Sequence, residues 1–227
     1  MNLLGDQTRG IKTLTFDCYG TLIDWYQGLC RCFDDVFGGA LRARHEELVA
    51  AYVASEAELE KGPYRSYREV LRLALAEVAR QFDVPLPAVR AGALAESLPG
   101  WAPFPDTRDA LSALAGRFRL GVMSNIDRDL FALTRERLGI EFDFVITAED
   151  VGSYKPAYGH FQRLLEVHGP AERVLHVGQS LFHDGEPARQ LGIAYVWINR
   201  YKDTPAGHAT PLAEFGDLKS FAAAVLA

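Results

Sequence analysis

The 227-residue chain is 48% hydrophobic and 24% charged, which is typical of a folded globular domain and excludes a disordered or fibrous protein. Its length fits one domain, or one domain with a sizeable insertion. Its 24 basic and 30 acidic residues give a formal net charge of −6. A net-negative chain without a lysine or arginine run disfavours binding to nucleic acid or to an anionic membrane, and favours a small-molecule enzyme.

Cysteine usage and hydropathy indicate the cellular compartment. The three cysteines are an odd number and do not form a disulfide framework. The N-terminal residues lack a basic patch followed by an apolar run, and no stretch reaches the roughly 20 apolar residues of a membrane-spanning helix. We therefore expect a cytoplasmic protein.

In chain order, short apolar runs rich in β-branched residues predict five strands: Ile11–Phe16, Leu120–Met123, Phe144–Thr147, Val174–Val177 and Ala194–Ile198. Apolar residues at helical spacing predict the intervening helices Asp106–Phe118, Arg128–Leu138, Tyr158–Val167 and Gly185–Leu191. This alternation of strand and helix predicts an α/β fold with a parallel sheet that is covered on both faces.

A helical insertion interrupts the pattern after the first strand. Residues 24–97 contain no convincing strand, but apolar residues such as Leu48 and Tyr52 follow helical spacing. We predict a core domain of residues 1–23 and 98–227 and a helical domain of residues 24–97. Because open parallel sheets bind ligands at the carboxyl ends of their strands, this insertion is expected to cover the site as a cap. Such a cap excludes water and selects substrates.

The first predicted strand ends at a carboxylate, Asp17, which is followed by a turn. Gly20 permits a tight turn whose backbone N–H groups can face a bound anion. An isolated aspartate at a strand end usually caps its own turn, and this alternative applies to Asp17. The whole string Phe16–Asp24, FDCYGTLID, is far more specific than a lone aspartate.

This string resembles the first motif of the haloacid dehalogenase superfamily, in particular of its L-2-haloacid dehalogenase branch. Residues 121–125 (GVMSN), 154–156 (YKP) and 177–184 (VGQSLFHD) resemble the second, third and fourth motifs in the same order. The resemblance implies a Rossmann-like parallel sheet core with a helical cap inserted after the first strand. The family often forms homodimers, but no exposed apolar stripe in this sequence is distinctive enough to determine the oligomeric state.

Two positions indicate the branch within the superfamily. Its phosphatases carry an aspartate two residues after the nucleophile, where it protonates the leaving alkoxide, and here that residue is Tyr19. A departing halide requires no proton. Gln179 replaces a carboxylate of the metal-binding fourth motif, and Mg²⁺ prefers carboxylate and water oxygens. The resemblance therefore implies a dehalogenase that needs no metal and no other cofactor.

The resemblance assigns three catalytic residues. Asp17 is expected to attack C2 of a small anionic 2-haloacid, and water is expected to hydrolyse the resulting ester to a 2-hydroxy acid. Lys155 is expected to supply positive charge rather than to be a solvated surface lysine, because Pro156 favours a helix start beside it. Asp184 is expected to orient Lys155 or to activate the water, or alternatively to cap the predicted helix Gly185–Leu191.

Six further residues are expected to contact substrate or water. Ser124, with neighbouring backbone amides, is expected to hold the substrate carboxylate, and Asn125 is expected to receive the halide. The alternative for both is a cap on the strand end. Tyr19 and Thr21 belong to the first turn and are expected both to shape it and to contact substrate. Gln179 and Ser180 are expected to hold the water in place of the family's asparagine.

The chain departs from the family pattern at several positions. Phe161 replaces a tyrosine, with Tyr158 as a partial substitute, and Leu181 replaces the asparagine. His176 is predicted to be a core residue with satisfied hydrogen bonds, whereas the role of His183 is left open. The halide-capturing arginine has four candidates: Arg42, Arg44, Arg65 and Arg68.

Other functions fit the same motifs. The aspartate nucleophile could open another small electrophile, such as a strained-ring acid, or retain weak phosphatase activity. A core without catalysis that serves as a binding or regulatory module belongs to a different class. The trio of Asp17, Lys155 and Asp184 argues against that class, because a pure interaction module does not need these residues to converge.

Overall fold

The computed structural model describes residues 8–205, 207 and 210–227. Within this part of the chain, six parallel strands form one sheet. The strands are β1 Thr13–Phe16, β2 Arg119–Ser124, β3 Phe144–Thr147, β4 Val174–Gly178, β5 Ala194–Ile198 and β6 Ala213–Phe215. Their order in the sheet is β3-β2-β1-β4-β5-β6, which confirms the α/β class.

Helices lie between the successive strands from β1 to β5, and several of them form the region between β1 and β2. None of the helices in the described residues combines the length and apolar character that a membrane crossing requires. The α-helices are Trp25–Phe37, His45–Leu59, Tyr67–Gln81, Ala93–Ser97, Thr107–Ala115, Arg128–Leu138, Ala148–Val151, Gly159–His168, Glu186–Gln190 and Leu218–Leu226. Short 3₁₀ turns lie at Arg42–Arg44, Ala88–Arg90, Leu98–Gly100 and Ala171–Arg173, and a π-helical turn at Leu181–Gly185.

The strand register brings the ends of β1 and β4 together. Thr15 lies opposite His176 in β4, and both residues are fully buried. The ladder continues one residue past β1, where the backbone N–H of Asp17 donates to the carbonyl of Val177 (3.0 Å). The carboxylate that follows β1 therefore lies beside the loop that follows β4, at the carboxyl edge of the sheet.

The chain divides into two compact units. One contains the sheet and comprises the described residues up to Ile23 with Pro103–Asn125 and Leu138–Ala227. The other is helical and comprises Asp24–Ala102 and Ile126–Arg137. The helical unit is thus larger than the predicted 24–97 segment.

A buried carboxylate ties the second segment into the helical unit. Asp127 accepts hydrogen bonds from the backbone N–H groups of Tyr67 (2.7 Å) and Arg68 (2.8 Å) at the start of the helix Tyr67–Gln81. The first N–H groups of an α-helix have no acceptor within the helix. Asp127 therefore caps this helix, although it lies about 60 residues away along the chain. The sequence pattern alone assigns this segment to the core.

Two other features differ from the sequence predictions. The strand β6 was not predicted, because its three residues contain an exposed Glu214 and no apolar run. The helix after Lys155 begins at Gly159, so the prediction that Pro156 occupies a first helical position is wrong. Lys155 lies instead in a turn before that helix, which the hydrogen bond from the Ala157 N–H to the Tyr154 carbonyl (2.9 Å) closes.

Replacing Gly121 by alanine tests the packing on β2. The Phe144 ring of the neighbouring strand covers Gly121 and stacks on His168, with 3.6 Å between ring centroids. A Cβ at Gly121 would overlap this ring, so we expect Gly121→Ala to lower the free energy of unfolding by about 1–3 kcal/mol in urea titration.

Gly116→Ala is the matched control. Gly116 has a φ of −68°, and a Cβ there would meet Ala113 O at an ordinary 3.6 Å. We expect it to change stability by less than about 0.5 kcal/mol or to raise it slightly. Equal losses in the two variants would contradict this description of the packing.

Candidate active site

The ammonium group of Lys155 is the centre of a buried polar network. Its Nζ donates to Asp17 Oδ1 (2.9 Å), Asp184 Oδ1 (2.6 Å) and the Met123 carbonyl (2.9 Å). Three N–H donors thus meet three acceptors, although the side chain is only 2% exposed. Burial by itself lowers the pKa of Lys155, but the two carboxylates outweigh it and raise the pKa above its ordinary value. The lysine is therefore charged.

Both oxygens of Asp17 are oriented by hydrogen bonds. Lys155 binds Oδ1, and the hydroxyl of Thr21 donates to Oδ2 (2.9 Å). Thr21 Oγ1 in turn accepts from the backbone N–H of Gln179 (2.9 Å), which links the loops after β1 and β4. These hydrogen bonds hold the Asp17 carboxylate firmly. Its side chain is 14% exposed, so the carboxylate remains partly accessible.

Asp184 is fully buried on the other side of the ammonium group. Its Oδ1 accepts from Lys155 and also interacts with His176 Nε2 (3.0 Å). Burial raises the pKa of this carboxyl, but the charge of Lys155 and the His176 hydrogen bond outweigh burial and hold it well below its usual value. Its Oδ2 has no hydrogen-bond partner within the described residues.

The alternative interpretation of Asp184 as a helix cap is not supported. Asp184 lies within the π-helical turn, and the following helix spans Glu186–Gln190. Ser180 precedes the turn, and its Oγ accepts from the backbone N–H of His183 (3.0 Å). The same Oγ lies 3.1 Å from His183 Nδ1. Ser180 thus has the capping role, while Asp184 faces Lys155.

Ser124 and Asn125 lie at the end of β2 beside this network. Asn125 brackets the backbone of Lys155: its Oδ1 accepts from the Lys155 N–H (2.7 Å), and its Nδ2 donates to the Lys155 carbonyl (3.0 Å). The Ser124 carbonyl contacts His160 Nε2 (3.1 Å). Burial, with a smaller effect of nearby Lys155, lowers the pKa of His160 to about 3, so this ring is neutral. Because a carbonyl oxygen can only accept, the His160 Nε2–H donates to the Ser124 carbonyl.

The other predicted contact residues lie around the same sheet edge. The Gln179 side chain is directed to Asp203, because its Nε2 donates to Asp203 Oδ2 (3.1 Å). Tyr19 is half-buried in the first turn, where it bridges to Ile23. The structure therefore joins Asp17, Thr21, Lys155 and Asp184 directly, and reaches Asn125 and Gln179 through backbone contacts.

The four candidate arginines all belong to the helical unit. Each has a hydrogen-bond partner there, so these contacts do not distinguish one of them. The partners are Asp34 for Arg42, Glu47 for Arg44, the Leu59 carbonyl for Arg65 and Asp129 for Arg68.

The donor set does not fit a resident divalent cation. No group of three or more His, Cys, Asp and Glu side chains in the described part of the chain could hold one. The two carboxylates at the sheet edge, Asp17 and Asp184, both bind the Lys155 ammonium, and a cation between them would compete with that charge.

Comparison with known proteins assigns the family. The sequence model of the haloacid dehalogenase-like hydrolase family matches residues 11–192 of this chain. The chain belongs to this family. It is 28% identical over 199 residues to haloacetate dehalogenase H-2 of Moraxella sp.. These aligned residues cover 84% of this chain and 87% of that protein. It is also 38% identical to haloacid dehalogenase-like hydrolase domain-containing protein 3 of Xenopus laevis over 96 residues, which cover 41% of this chain and 39% of that protein.

The fold of this haloacid dehalogenase-like hydrolase also matches a solved structure. The L-2-haloacid dehalogenase of Xanthobacter autotrophicus with covalently bound chloropropionic acid superposes with a TM-score of 0.82. The match covers 95% of this chain and 98% of that chain at 21% identity. At this identity the likeness establishes the shared fold.

An ion pair that the sequence does not predict supports the first turn of this hydrolase. Arg200 Nε donates to the Thr21 carbonyl (3.0 Å), and its two Nη groups bind the two oxygens of Asp106 (3.0 and 3.2 Å). Its guanidinium lies 3.9 Å from the centroid of the Phe104 ring. No local pattern predicts this pair, since Arg200 is 179 residues from Thr21.

Replacing Arg200 tests this support. Burial raises the pKa of Asp106, but the Arg200 guanidinium outweighs it and lowers that pKa overall. We expect Arg200→Met to reduce the free energy of unfolding by about 1–3 kcal/mol at neutral pH, because the part-buried Asp106 loses its cationic partner. Asp106 keeps the backbone N–H donors of Leu218 and Lys219. Arg200→Lys should recover little, since a point charge cannot make the bidentate contact.

The pH dependence and a double variant complete the test. A carboxyl with a lowered pKa stabilises the fold above its ordinary pKa, and this stabilisation disappears as the pH falls through the lowered value. The difference between wild type and Arg200→Met should therefore shrink below about pH 4. Asp106→Asn combined with Arg200→Met should lose less than the sum of the single changes, and strict additivity would exclude a coupled pair.

Proposed function

We propose that this chain is a hydrolytic dehalogenase of short 2-haloalkanoic acids, which it converts to 2-hydroxy acids through an ester on Asp17. The observation that carries the proposal is the arrangement of Asp17. It is a partly accessible carboxylate whose oxygens are directed by Lys155 and Thr21, and no carboxyl group occupies position 19. This arrangement suits attack on carbon with a leaving group that needs no proton.

In the first step, an Asp17 oxygen forms a bond to C2 while the carbon–halogen bond breaks and its electron pair leaves with the halide. Asp17 and Asp184 share the single Lys155 ammonium, so two negative charges and one positive charge give a net charge of −1. The lysine therefore orients Asp17 without neutralising both carboxylates. Ser124 and nearby backbone amides are proposed to hold the substrate carboxylate.

In the second step, water attacks the ester carbonyl carbon of Asp17. Lys155 is positioned to stabilise negative charge on Oδ1, which it already contacts at 2.9 Å. Asp184, the second carboxylate bound to Lys155, is proposed to accept the proton of that water. Cleavage of the ester releases the 2-hydroxy acid and regenerates Asp17. One proton is released in addition to the halide.

The proposal includes no metal ion and no other cofactor. It is supported by the ammonium group between the two carboxylates and by Gln179 at the position of a metal-binding acid. The names of the relatives support the substrate class, since one is a haloacetate dehalogenase and the structural neighbour holds chloropropionic acid covalently. The cytoplasmic location and the role of the helical unit as a cap stay predictions.

Halide release tests this function directly. We expect chloride release from chloroacetate or 2-chloropropionate in the presence of EDTA, and none from Asp17→Asn, because an amide is a poor nucleophile. Phosphate release from p-nitrophenyl phosphate that appears only with Mg²⁺ would instead indicate a phosphatase. Turnover of neither substrate class, with unchanged behaviour of Asp17→Asn, would favour a binding module.

The lysine has a separate test. We expect Lys155→Met to lower the kcat for chloride release by about 10²–10³-fold, because one positive donor to the reacting carboxyl is lost. Lys61→Met is the matched control, since Lys61 is a mostly exposed lysine paired with Glu58 in the helical unit. Equal activity of Lys155→Met and Lys61→Met would remove Lys155 from the mechanism.

A further inference from the structure

A histidine outside the recognised motifs contacts the buried end of the network. His176 is fully buried in β4 between two aromatic rings, Phe161 at 5.2 Å and Tyr195 at 6.0 Å between centroids. Both of its ring nitrogens have partners. Nδ1 lies 2.8 Å from Thr15 Oγ1, and Nε2 lies 3.0 Å from Asp184 Oδ1.

The partners determine where the His176 protons are. Asp184 is a carboxylate and can only accept, so Nε2 must carry a proton that it donates. The Thr15 hydroxyl can then donate to a neutral Nδ1 or accept from a protonated one. The parallel register, which sets Thr15 directly opposite His176, provides this second contact.

Together these contacts fix the Asp184 carboxylate on both sides. Oδ1 is bound by Lys155 and His176, whereas Oδ2 lies against the backbone of Gly178. A Cβ at Gly178 would be only 2.6 Å from that oxygen, so the close approach requires glycine. The direction of Oδ2 therefore depends on a donor at the position of His176 Nε2.

We propose that His176 is a positioning residue that fixes the orientation of Asp184, and through it the shared Lys155, for hydrolysis of the ester on Asp17. The kinetic consequence rests on the proposed function, but the hydrogen bond from His176 to Asp184 does not. His176 touches no reacting atom, and its effect is transmitted through the Asp184 carboxylate.

A pair of amide substitutions tests the role kinetically. The amide nitrogen of His176→Gln can reach the position of Nε2 and donate to Asp184, whereas that of His176→Asn reaches only the position of Nδ1. We expect kcat for chloride release to stay near wild type in the glutamine variant. In the asparagine variant it should fall about ten- to a hundredfold with KM little changed, and the ester should accumulate. His168→Gln, at the half-buried histidine that stacks on Phe144, is the control and should leave kcat unchanged.

Nitrogen NMR of ¹⁵N-histidine-labelled wild-type protein provides a test without turnover. We expect the His176 proton on Nε2, and we expect Thr15→Val to change the Nδ1 signal while Nε2 keeps its proton. A bare Nε2 with the proton on Nδ1 would overturn the proposal, and so would equal kcat values for the glutamine and asparagine variants of an active enzyme. If the wild type releases no halide, the proposed function fails, while the NMR result still decides whether His176 donates to Asp184.

Discussion

The ammonium group of Lys155 is the constraint on which the rest of the site depends. It is almost completely buried, and a buried charge is unstable unless all its donors are satisfied. Asp17, Asp184 and the Met123 carbonyl satisfy them. Because two carboxylates converge on this one cation, the position of each depends on the other, and both depend on the strands that carry them.

The scaffold supplies that precision through backbone contacts from several elements. The parallel register of β1 and β4 brings Asp17 beside the loop after β4, and Asn125 holds both backbone polar groups of Lys155. Arg200 anchors the first turn through the Thr21 carbonyl. Each of these contacts fixes the main chain that carries the reacting side chains.

The sequence predicts those parts of the molecule that local pattern encodes. The buried strands are apolar runs, and the resemblance to a family located Asp17, Lys155 and Asp184, which the structure joins. The sequence pattern did not predict β6, because a strand of three residues at the edge of the sheet is too short to show periodicity. It did not predict the contact of His176 with Asp184 or of Arg200 with Asp106, because these pairs form only when the tertiary fold brings a strand and distant loops together.

The central claim is that Asp17 forms an ester that water cleaves at its carbonyl carbon. A single turnover in water enriched in oxygen-18, with enzyme in excess over 2-chloropropionate, tests it most directly. Mass spectrometry of the peptide that contains Asp17 should then show one incorporated oxygen-18 atom, and the first 2-hydroxy acid formed should carry unlabelled oxygen at C2. Label in the product hydroxyl with none in Asp17 would contradict the account, since water would then have attacked the substrate itself.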